Sequence, residues 1–203
     1  MTAARKDRKP WPMKWIVLAI ALFIPAYTYL TLHYRRPGPA FNPYQDMRDR
    51  AEVVRLLRAG YQRVAVDASR PAEPIPESGA STSPAPGGLP EDLGKTLIGT
   101  PLMPLDVVSV SAAPTAVSGI DYPIGLNFTL ADNKRQLSGA HLYERPGEIV
   151  IVADFERLGG GLLARTREGS ALLTVPPGSI RPGTYRVTVV GEHASRSWTL
   201  LVR

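Results

Sequence analysis

Three histidines, eighteen carboxylates, a run of three glycines and no cysteine are the material from which this 203-residue chain could build chemistry. Asp121, Asp132, Asp154 and Glu156 are candidates for a carboxylate pair or a calcium site, but they lack the dense Asp/Asn/Gly spacing of a calcium loop. They read as turn and strand-end residues. His33, His141 and His193 are scattered, and neither His141 nor His193 has the serine or acid motif that a catalytic triad needs. Gly159-Gly160-Gly161 lacks the strand-then-helix context of a phosphate loop and reads as a hairpin turn. No Gly-x-Ser-x-Gly elbow and no His-Glu-x-x-His helix occurs. Without cysteine there is no thiolate nucleophile, thiol redox couple or Cys-based zinc site. The four methionines form no Met-rich cluster, which speaks against carrying copper. The expectation is a protein that is not an enzyme, with no catalytic, cofactor-binding or metal-binding residue and no small-molecule ligand.

The element that places everything else is the uncharged apolar run 15–34. At about 1.5 Å per residue, some twenty residues just cross a hydrocarbon core of about 30 Å. Pro25 removes one helix hydrogen bond, which a membrane helix tolerates. The competing element is a cleavable signal peptide, whose apolar region is about 7–15 residues and ends on small residues. Here the small triplet Ala19-Ile20-Ala21 falls inside the run and nothing small follows it, so an uncleaved anchor is expected.

Charge supports the same placement. The chain has 24 basic and 18 acidic side chains, and residues 1–36 hold seven of the former and one of the latter. The remainder is therefore neutral, with 17 of each, and the +6 excess belongs to membrane topology and anionic headgroups. Nucleic acid is not expected as a partner. The heavier basic cluster precedes the run, so residues 1–14 are read as a cytoplasmic tail and the C-terminal part as extracytoplasmic.

Beyond the anchor, residues 41–68 read as a juxtamembrane helix and a short strand. Asn42 is the expected cap, Pro43 the first helical position, and Gly60 the left-handed stop. Met47, Ala51, Val54, Leu57 and Tyr61 form one apolar stripe, and the arginines between them read as a solvated face. Residues 69–92 hold six prolines among Gly, Ser and Ala and read as a disordered or extended spacer.

From residue 100 to 203 the period becomes two. Tyr122, Ile124, Leu126, Phe128 and Leu130 alternate with smaller or polar residues, as do Ile149 to Phe155, Tyr185 to Val189 and Trp198 to Val202. Leu162–Thr166 and Ala171–Val175 are further candidate strands, with a weak segment at His141–Glu144. Seven or eight short strands with frequent turns predict an immunoglobulin-like antiparallel β-sandwich. Tyr185 is the candidate to close the Pro182-Gly183 corner through its hydroxyl, and Trp198 is expected in the core.

PWPMKWIVLAIALF (10–23), NPYQDM and AEVVRLLRAG (within 42–60), and RPGTYRVTVVGEHASRSWTLLV (181–202) together give a layout that resembles the FixH-like family of small single-pass membrane proteins. Gly183-Thr184-Tyr185 stands where that family usually has Gly-Arg-Trp, and the long proline spacer also departs from its pattern. The resemblance implies a role in assembling or stabilising a cbb-type cytochrome oxidase by contact with its membrane subunits. The alternative is a tethered immunoglobulin-like module that binds an envelope glycan or a periplasmic protein. Both place the chain in a bacterial inner membrane, crossing once.

Overall fold

An apolar helix and a closed β unit divide the chain. The computed structural model describes residues 12–34, 43–71, 75, 79–160 and 163–203, in two units of residues 1–43 and 44–203. Asn42 lies outside the described residues.

In the first unit, helix α1 spans Met13–Tyr34 and continues through Pro25. Its stretch Met13–Thr31 has a mean hydropathy of 1.6 and no buried share. Thr31 returns its hydroxyl to the Tyr27 carbonyl at 2.7 Å, so this polar side chain satisfies itself within the helix. Length and composition suit either a membrane anchor or a signal sequence.

The second unit opens with α2 (Pro43–Arg58). Gly60 ends it at φ +81°, where the Gly60 N–H reaches Leu57 O (3.1 Å) and the Tyr61 N–H reaches Leu56 O (2.8 Å). This pair of bonds is a Schellman cap, and it brings Leu56 and Tyr61 into one apolar cluster. The expected stripe is corrected here. Met47, Ala51, Val54 and Leu57 are exposed, while Leu56 is buried on the other side of the helix. The cap, rather than the apolar period, decides which face the helix turns inward.

The strands follow as β1 (Gln62–Ser69), β2 (Ser83–Pro86), β3 (Asp106–Ala112), β4 (Thr115–Ala116), β5 (Tyr122–Thr129), β6 (Arg135–Arg145), β7 (Glu148–Arg157), β8 (Glu168–Val175), β9 (Gly183–Val189) and β10 (Ala194–Val202). A short helix, α3 (Glu91–Thr96), lies between β2 and β3. Pairing runs β10-β3-β5-β8-β1-β6-β7-β9 and returns to β10. The contacts β7–β9 and β10–β3 are parallel and the other six are antiparallel.

The protein is thus mainly β, and the sheet closes in a barrel-like arrangement where the turn spacing had suggested two facing sheets. Strand β1 explains the difference. Its residues 62–66 pair with β6 and its residues 67–69 with β8, so one strand joins what would otherwise be two edges. A closed ladder leaves few unpaired backbone groups for another chain to capture. The alternating sets from β5, β7, β9 and β10 all point into a common core, with Val66, Ala140, Leu142 and Leu173.

Part of the proline-rich segment belongs to this unit and is no free spacer. Ser83–Pro86 pairs with Ala194–Ser197, and Gly79 bridges Ala112. Ile75 lies so close over Gly125 that a Cβ there would come within 2.6 Å of Ile75 Cγ2. Proline lacks an amide donor but is compatible with an edge strand, which is the place β2 takes. Two further expectations change. Gly159 and Gly160 lie between β7 and β8, which do not pair, so the expected hairpin turn is not formed there, and Gly161 lies outside the described residues. Among the described residues of 162–166, none is in a strand.

Candidate functional site

The turn at Pro146-Gly147 fixes the register of the β6–β7 hairpin, and that register assembles the site. Ala140, Leu142, Ile149, Ile151 and Ala153 turn inward. Tyr143, Val150 and Val152 turn outward, beneath Leu56, Tyr61, Leu93, Met103 and Val190. At the uncovered end of this outer layer, His141 opposes Val152 and Asp154 opposes Gly139. His141 and Asp154 are therefore diagonal neighbours on one face, within reach of each other's long side chains. His141 Nε2 lies 3.4 Å from Asp154 Oδ2.

Helix α2 supplies the opposite wall. Glu52 Oε1 accepts from Arg63 Nη1 of β1 at 2.9 Å, and Glu52 Oε2 accepts from the Ile98 N–H at 3.2 Å. Between these walls and residues 97–101 lies a cleft of about 490 Å³. Its ionisable lining is Arg48, Arg63 and His141 facing Asp49, Glu52 and Asp154. Burial pushes the Asp154 carboxyl above its ordinary value, and His141 and Arg63 pull it back. Burial likewise raises the Tyr143 phenol, with Asp154 and Glu52 adding to the effect. His141 Nδ1 is buried and makes no hydrogen bond among the described residues.

Chemically the cleft offers donors and acceptors in balanced number to a polar partner, rather than a field of one sign. Among the described residues no group of three or more His, Asp or Glu side chains is gathered as metal ligands would be.

A second polar cluster joins β6 to β9, two strands that do not pair with each other. The Tyr185 hydroxyl donates toward Glu144 Oε1 (2.9 Å) and Arg181 O (3.1 Å), and Glu144 is buried. Burial and the Glu144 carboxylate both raise the Tyr185 phenol. Next to it, Arg145 stacks on the Tyr61 ring at 4.9 Å and pairs with Glu148. Trp198 is buried among the strands, its Nε1 without a hydrogen-bond partner among the described residues, and the Tyr122 hydroxyl, pushed by burial up to about 12, donates to Ala113 O.

The residues singled out in the sequence thus stay apart. Pro25 lies within α1, Gly60 caps α2, Tyr185 sits at the β9 corner and Trp198 in the core. The cleft joins His141 and Asp154, which look unrelated in the sequence, to Arg48, Asp49, Glu52 and Arg63. His141 does have an acid beside it, 13 positions along the chain, and counting outward from the turn would have placed it. Nothing comparable points to Glu52 and Arg63, which depend on how α2 folds back on β1.

No family model, curated protein or solved structure matches this chain. Fold and site together define a closed, mainly β unit with a charge-balanced outer cleft, following an apolar N-terminal helix.

Proposed function

We propose that this chain is a single-pass, extracytoplasmic accessory or assembly protein that acts by protein–protein contact. On the FixH-like resemblance, the first candidate complex is a cbb-type cytochrome oxidase. The N-terminus is cytoplasmic in this reading, and the β unit, which we describe as immunoglobulin-like in its Tyr185 corner, is periplasmic. The observation that carries the reading is the state of the cleft. Glu52 pairs with Arg63, and the His141 ring lies 3.4 Å from the Asp154 carboxyl, so these side chains hold one another, as suits a surface that docks rather than one that turns over substrate. The apolar helix supports a membrane location, and small or hydroxylated residues along it (Ala19, Ala21, Ala26, Thr28, Thr31) favour close helix contact.

The open polar cleft favours a second reading, a tethered module for an envelope glycan or periplasmic protein. Purification of the tagged full chain in mild detergent separates the two. Co-recovery of oxidase subunits in fixed proportion supports the assembly role. Recovery as a lone monomer that is retained on insoluble peptidoglycan would overturn it in favour of the module.

A further inference from the structure

Among the described residues, helix α2 leaves an apolar face without a partner. Met47 is 66 %, Val54 46 % and Leu57 62 % exposed, whereas Leu56 is 1 % exposed. At about 100° per residue these three and Ala51 share an arc of roughly 120°, opposite Glu52 and Leu56. Arg50, Arg55 and Arg58 fall within that arc or at its edge, all exposed, and among the described residues none of them makes an ion pair. Asp49 and Glu52 lie toward the cleft. The free face is therefore apolar and cationic at once.

We infer that this face of α2 lies on an anionic phospholipid surface, with Met47, Val54 and Leu57 in the headgroup–acyl boundary and the arginines on lipid phosphates. Two observations choose lipid over other occupants. The first is charge: three unpaired arginines among apolar side chains match an anionic interface, where their long stems lie along the apolar layer while the guanidinium groups reach phosphate. The second is reach. Eight residues, 35–42, separate α1 from α2 in the sequence and extend at most about 30 Å, so a spanning α1 limits how far α2 can leave the bilayer. The inference rests on the anchor reading above and adds a second, reversible membrane contact to it.

The cysteine-free sequence suits a direct test. Single cysteines are introduced into the full chain as Phe23→Cys in α1, Val54→Cys and Leu57→Cys on the free face, and Leu163→Cys in the exposed β7–β8 loop. Each is labelled with an environment-sensitive fluorophore and reconstituted into vesicles of zwitterionic lipid, with or without about 30 % anionic lipid. Brominated lipids then report contact with the acyl region.

On anionic vesicles, quenching is expected at positions 23, 54 and 57 and not at 163. Replacing Arg50, Arg55 and Arg58 by Gln lowers the seated-to-free ratio on the order of a hundredfold, since each arginine near such a surface counts for about a fivefold change. Quenching at 23 but not at 54 and 57 overturns the inference and leaves the anchor standing. Loss of quenching at all three positions overturns both. Probes at 54 and 57 that are shielded from water yet untouched by brominated lipid would identify a protein occupant, and would also overturn it.

Discussion

Replacing Gly60 with alanine tests the cap that orients α2. At φ +81° the backbone is in the left-handed region, which costs an L-residue about 1–2 kcal/mol. A Cβ at this position meets nothing within 4 Å, so no steric term is added. Alanine also restricts the unfolded chain, which returns about 0.4–1 kcal/mol. The net expectation is a loss of about 1 kcal/mol, seen as a fall of about 2–4 °C in Tm for a unit of this size. Gly119→Ala is the internal comparison. Gly119 also has open space around a Cβ, but its φ is not positive. That substitution should leave stability unchanged or raise it by the entropic amount alone. Gly60→Asn should fall between, because asparagine tolerates the left-handed region better than alanine. Thermal and denaturant unfolding of the full chain in mild detergent, followed by circular dichroism, measures all three. Equal stability of Gly60→Ala and Gly119→Ala would refute the cap reasoning, and with it the account of why Leu56 rather than Leu57 turns inward.

Two further outcomes concern the polar clusters. Because burial holds the Asp154 proton above its ordinary 3.8, that group's contribution to stability is complete below this value and is lost as pH rises through the folded pKa. Asp154→Asn removes the dependence, so the variant should gain on the parent as pH rises above 3.8, and a constant difference between the two across that rise would contradict the assignment. Tyr185→Phe takes a hydroxyl from the buried Glu144 and from Arg181 O, at an expected cost of about 1–3 kcal/mol. In a Glu144→Gln background the cost should shrink, since the two residues share one bond, and a double-mutant cycle reads that coupling directly.

The sequence by itself determined what depends on neighbours along the chain. Apolar length makes α1, the glycine at 60 stops α2, and alternation in β5, β7, β9 and β10 turns their apolar residues to one side, because these are local consequences of backbone geometry. Tertiary structure alone decided what depends on pairing between distant segments. Strand β1 carries only a weak alternating signal, yet it closes the sheet by serving β6 and β8 in turn. Ser83–Pro86 has the composition of a spacer and still pairs with β10, because an edge needs only some of its amide donors. The cleft follows the same logic. His141 and Asp154 follow from the register of one hairpin, but Glu52 and Arg63 face one another only once α2 folds back on β1, and no local pattern records that contact.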